Sequence, residues 1–277
     1  MTNTREARTV RRTAVPVTGS VARTSRDRLM PMIRMDFYRL FHTPVFYVMV
    51  AISAIIPALV VTMVPANEDP AVAATPTYTN AWQVVESVSG TADNAALMDL
   101  ATMCNINMVY IFAALLVSIF IAHDYSSGFV KSIFTTHATK TDYAVSKTLI
   151  CWFSGCCMVL AYVLAALIVG GVSGLSLSLG DLGASVFGAL CCVLGKMLLM
   201  GLFTGLYVTV AVFFRSRLWL SILAAFCLGI LFYPTAMMSA PLDATALSVL
   251  MCAVGGALGA LLFVAVSGFI LRHRDVA

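Results

Sequence analysis

Six apolar runs, each long enough to cross a bilayer, constrain this chain more than any other feature. They lie at about residues 45–64, 104–122, 148–169, 192–214, 218–238 and 246–271. About 20 apolar residues rising 1.5 Å each match a hydrocarbon layer ~30 Å thick. Backbone amides in hydrocarbon must be satisfied within their own segment, so such runs become helices. The composition agrees, since only 11% of residues are charged, roughly half the share in a soluble domain. The sequence predicts an all-α integral membrane protein of six transmembrane helices.

Charge orients these runs. Segments 1–43, 123–147, 215–217 and 272–277 hold 16 of the 17 basic residues, whereas 65–103, 170–183 and 239–245 hold none and carry seven acids. Six crossings put every basic cluster on one side; five or seven would split them, so both termini are expected in the cytoplasm. Ala71-Val72-Ala73 has the form of a signal-peptide cleavage site. The run before it is too long and starts too far from Met1 to be a leader. Nine arginines precede residue 40. Beside membrane spans, the basic tail 1–28 reads as a flexible anchor for anionic lipid rather than as a nucleic-acid arm.

The domain that follows, 29–274, opens with an interfacial helix over 29–42. Leu29, Met30, Ile33, Phe37, Leu40 and Phe41 fall on one helical arc, with Asp36, Arg39 and His42 off it, the pattern of a helix lying in the headgroup region. Arg34, Asp36, Phe37 and Arg39 are its candidate functional residues, and Pro44 is expected to bend the chain into the first span. Pro65, Pro70 and Pro76 mark the start of the outer segment as irregular, and Ala95–Thr102 is expected to begin a helix leading into the membrane. Thr141 or Asp142 is the expected cap of the third span. In the stretch 184–214 the span is assigned to 192–214, with the earlier part interfacial and Lys196 snorkelling at the outer end. Pro234 interrupts the fifth run. Gly201-x-x-x-Gly205 and Gly255-x-x-x-Gly259 allow helices to pack closely within the molecule.

Most chemistry is excluded by what these runs lack. No Asp, Glu, Arg or His sits centrally in a span, which disfavours a proton-coupled carrier. Gly171-Val172-Ser173-Gly174 has a serine-protease form, but all four histidines map to the other side of the membrane, out of reach of Ser173. Seven cysteines lie in or beside apolar runs without Cys-x-x-Cys spacing and away from His, so they read as small hydrophobes rather than metal ligands; Cys104 lies at an outer edge. No Gly-x-x-x-x-Gly-Lys-Ser/Thr is present, so the chain has no ATP-hydrolysing motif of its own. No catalytic residue, bound cofactor or metal is expected.

The remaining feature is the polar stretch 123–147 between the second and third runs. It contains Asp124, Tyr125 and Gly128, then Phe129, Val130, Ile133 and Phe134 at helical spacing around Lys131, and Lys147 at its end. Such a helix is too short to cross a membrane and too apolar to stand in water, so it needs a partner surface.

This order of parts resembles the permease subunits of type-2 ABC transporters, the bacterial ABC exporters. The likeness covers roughly 29–274 and rests on the interfacial helix, the long outer segment and the motif Asp124, Tyr125, Gly128, short helix, Lys147. That family usually has Glu where this chain has Asp124. The resemblance implies a multi-pass protein of the bacterial plasma membrane, in which two permeases, identical or homologous, pair to form an export path. A separate ATPase, which uses the ATP, would dock on 123–147 beside the interfacial helix. Phe129, Val130, Ile133 and Phe134 would be the buried contacts of that docking, with Asp124 and Lys131 setting its orientation. Antimicrobial peptides, drugs or lipids suit so apolar a path. A secondary transporter, or an anchor or sensor whose outer segment 65–103 binds a ligand, are the alternatives.

Overall fold

A computed structural model describes residues 25–63, 79–86, 106–135, 139–215, 217–232, 242 and 244–273. The tail 1–24, Ala71-Val72-Ala73, Ala95–Thr102, Cys104, Pro234 and the outer segment apart from 79–86 lie outside the described residues. Nine α-helices are described: α1 (Ser25–His42), α2 (Pro44–Met63), α3 (Ala81–Glu86), α4 (Asn107–Ser126), α5 (Phe129–Thr135), α6 (Lys140–Val172), α7 (Val186–Phe214), α8 (Leu218–Leu231) and α9 (Ala246–His273). Among the described residues the chain is helices joined by turns, with no strand and one isolated bridge, Asn80 to Ser176.

Five helices are long and apolar enough to cross a membrane: α2, α4, α6, α7 and α9. Within the fifth run the described helix is α8, whose 14 residues extend about 21 Å. Two helices begin earlier than the apolar runs they contain. Residues 186–191 continue the fourth span as one helix, capped when Gly188 N–H donates to Ser185 Oγ at 3.0 Å. The helix holding the third run starts at Lys140, and its cap is Thr139 rather than Thr141 or Asp142. The Thr139 hydroxyl accepts from Asp142 N–H at 3.1 Å and the Asp142 carboxylate accepts from Thr139 N–H at 3.4 Å, a reciprocal pair that satisfies two open amides. Thr139→Ala is expected to cost about 1 kcal/mol, seen as a lower melting temperature of the purified protein.

α4 is the most enclosed long helix, packed by α2, α6, α7 and α8. Small residues set the closest crossing, between α7 and α9. A Cβ on Gly256 would lie 2.3 Å from the Leu198 carbonyl oxygen, and one on Gly205 would lie 3.2 Å from the Ala260 Cα. Further along, Thr209 Oγ1 donates to the Phe263 carbonyl at 3.0 Å. Residue numbers rise together along both helices, so α7 and α9 run parallel. α8 runs antiparallel to α4, since Ser221 meets Ser118 and Gly229 meets Ile111.

The two ends of the bundle differ. At one end α3 is tied down by backbone acceptors: Asn80 Nδ2 donates to the Ser178 carbonyl at 2.7 Å, Trp82 Nε1 to that of Leu177 at 3.2 Å, and Tyr162 Oη to that of Val84 at 3.2 Å. The Glu86 carboxylate accepts from Leu242 N–H at 3.0 Å. Lys196, expected to snorkel, is instead buried there, its ammonium 3.4 Å from the Glu86 carbonyl. The opposite end gathers α1, α5 and the charged ends of α4 and α6.

Candidate functional site

Four charged side chains meet at that opposite end, two from α1 and one each from α4 and α6. Spacing brings them onto single faces: Asp36 and Arg39 are three apart on α1, while Tyr143 and Lys147 are four apart on α6. Lys147 Nζ lies 2.5 Å from Asp36 Oδ1 and 2.7 Å from Asp124 Oδ2, bridging the two carboxylates. The Arg39 guanidinium closes the group at 2.7 Å from Asp124 Oδ1. Ser146 Oγ donates to Asp36 Oδ2 at 2.7 Å and Tyr143 Oη to Asp124 Oδ2 at 3.1 Å.

Lys147, Asp36 and Asp124 have no solvent-exposed side-chain surface, and Arg39 keeps only 21% of its own. Burying four charges is costly, and such a cluster persists only where the charges balance and their hydrogen-bonding capacity is filled. Here two positive charges face two negative ones. Aromatic rings supply further support, with the Arg39 guanidinium 3.9 Å from the Phe129 ring centre and Lys147 Nζ 4.6 Å from that of Phe120, an arrangement that favours cations.

Local geometry delivers Phe129 to this position. α4 ends at Ser126, and Gly128 takes φ +70°, a left-handed conformation that a side chain would strain. The chain turns there, and the Gly128 carbonyl accepts from Lys131 N–H at 3.0 Å to start α5. Val130 and Ile133 then pack into the core, and Phe134 stands edge-on to Tyr143 with ring centres 5.9 Å apart.

The structure redistributes the residues singled out from sequence. Asp36, Arg39, Asp124 and Phe129 come together; Tyr125 is half-buried beside them, and its hydroxyl has no hydrogen bond among the described residues. Phe37 packs edge-on against Phe153 at 5.0 Å, while Arg34 and Lys131 are exposed and stand apart from the cluster. Three expectations are corrected. Asp36 was placed off the buried arc of α1, yet that arc is Met32, Asp36 and Leu40, with Met30, Tyr38 and Phe41 exposed. Asp124 is enclosed by Arg39, Lys147 and Tyr143 and does not stand on the surface. Val130 and Ile133 are covered by this chain's own core, leaving Lys131, Ser132 and Thr135 as the exposed side of α5. Tyr143, Ser146 and Phe120 were missed. The available signal was the period-four pair Tyr143 and Lys147 at the mouth of an apolar run.

The arrangement offers no nucleophile and base pair, and among the described residues no group of three His, Cys, Asp or Glu could hold a metal ion. The ion pairs join α1, α4 and α6, and the Phe129 ring under Arg39 attaches α5 to them. No family model, curated protein or solved structure matches this chain.

Proposed function

We propose that this chain is the permease subunit of a type-2 ABC exporter, driven by a separate ATPase that presses on the exposed side of α5. The observation that carries the reading is the buried cluster of Asp36, Arg39, Asp124 and Lys147. A push on α5 cannot be absorbed by a loose loop, because Phe129 lies under Arg39 and Val130 and Ile133 are packed inside. The load passes to α1 and α6 together. A protein that only anchored or sensed would have no need to join its interfacial helix to two spans through buried charge.

The reading takes the protein as six-span, in a bacterial plasma membrane, with α1 in the interface and both termini cytoplasmic. Helix direction supports the count: α7 and α9 are parallel, and between them in the chain α8 runs antiparallel to α4. Two such permeases would pair around the export path, whose cargo would be an antimicrobial peptide, a drug or a lipid.

The test is affinity capture of the tagged chain from native membranes with mass spectrometry. The expected partner is an ATPase carrying a phosphate-binding loop, and Lys131→Glu with Ser132→Glu should reduce its recovery at least about tenfold. Both positions are exposed, so membrane insertion and melting temperature should stay unchanged. Capture that contains no ATPase, or full recovery with the double variant, removes this reading.

A further inference from the structure

α8 packs against α4 and α7, whereas α9 packs against α7 and α6, and a wedge opens between α8 and α9 over the face of α7 they leave bare. The wedge is a cavity of about 480 Å³ lined by Thr209, Val210, Phe213, Cys227, Leu228 and Ile270, with Phe214 and Ala224 at its margin. No polar surface lines it. The one hydroxyl among these residues, on Thr209, is spent on Gly205, Phe263 and Ser267. Water entering would find no hydrogen-bond partner, so an apolar space of this size takes hydrocarbon.

The end of the wedge has the opposite character. Arg217 is exposed and lies seven residues before Ala224, two helical turns along the same face of α8. It is also the N-cap of α8, and its guanidinium, a donor only, cannot cap the first amides, which keep the positive end of the helix dipole. From Arg217 to Leu228 is about 16 Å along the helix, close to half of a ~30 Å hydrocarbon layer. A positive end above an apolar slot one leaflet deep has the charge and dimensions of a lipid.

We propose that this wedge is a binding site for one anionic glycerophospholipid, with an acyl chain filling the cavity and its phosphate held by Arg217 and the first amides of α8. The site lies apart from the ionic cluster and does not depend on the exporter reading, since neither the ATPase nor transport enters the argument.

The test uses the full chain in phosphatidylcholine vesicles carrying a trace of phosphatidylglycerol with a diazirine on its acyl chain. Illumination is followed by peptide mapping. Adducts should concentrate on Val210–Phe214 and Ala224–Leu228 over Leu258, Leu261 and Leu262 of α9, which are exposed and lie outside the wedge. Arg217→Gln, at an exposed position, should lower phosphatidylglycerol adducts about fivefold and leave those from a diazirine phosphatidylcholine unchanged. Cys227→Trp, which fills the slot, should abolish both. Adducts spread evenly over α8 and α9, an unchanged lipid preference in Arg217→Gln, or a second copy of the chain cross-linking through Cys227 in place of lipid would each overturn the proposal.

Discussion

Asp124→Ala is expected to lower the unfolding free energy of the purified protein by about 3–5 kcal/mol, the cost of leaving buried charge without its partner. The carboxylate holds Arg39 and Lys147 and accepts from Tyr143, so its removal strands two cations in an enclosed site. The informative companion is Asp36→Leu with Lys147→Met, which removes one charge of each sign and leaves the Arg39–Asp124 pair. That double variant should cost less than the sum of its singles, with a coupling of about 1–3 kcal/mol. Denaturant titration in detergent measures all four proteins. If Asp124→Ala loses less than about 1 kcal/mol, or the singles simply add, the cluster is not a single balanced unit.

The second large effect separates two adjacent glycines. Gly256→Leu should destabilise by about 3 kcal/mol, because its Cβ would meet the Leu198 backbone carbonyl at 2.3 Å and backbone cannot swing aside. Gly255→Leu should be neutral or slightly stabilising, within about 1 kcal/mol. Nothing lies within 4 Å of its Cβ position, and replacing Gly in a helix gains propensity. Equal melting temperatures for the two variants would contradict the α7–α9 crossing described above.

These glycines show where sequence reasoning reaches its limit. Period and apolarity located the helices, and the ends of α2 and α9 lie within two residues of expectation. The motif Gly255-x-x-x-Gly259 marked the right helix, yet the tightest contact belongs to Gly256, because the contact face depends on where α7 lies. Asp36 failed for a related reason. An apolar arc shows which side of a helix avoids water, but membrane lipid accepts Met30, Tyr38 and Phe41 as readily as a protein core does. The buried side of α1 was therefore the one carrying a carboxylate with partners on α6, more than a hundred residues away. Lys147 was visible as a cation at the start of an apolar run. Its two carboxylate partners emerge only when the chain has folded.

α6 runs unbroken for 33 residues, close to 50 Å, well beyond what a ~30 Å hydrocarbon layer requires. The surplus gives it a duty besides spanning. Its first turns carry Tyr143, Ser146 and Lys147 in the ionic cluster, and Tyr162, further along, is fastened to the Val84 carbonyl at the far end. With no proline inside it, α6 is one continuous helix tied by side chains near its start and again at Tyr162. In the exporter proposed above, a tilt imposed beside Asp124 would be carried along this one helix to its contact with α3.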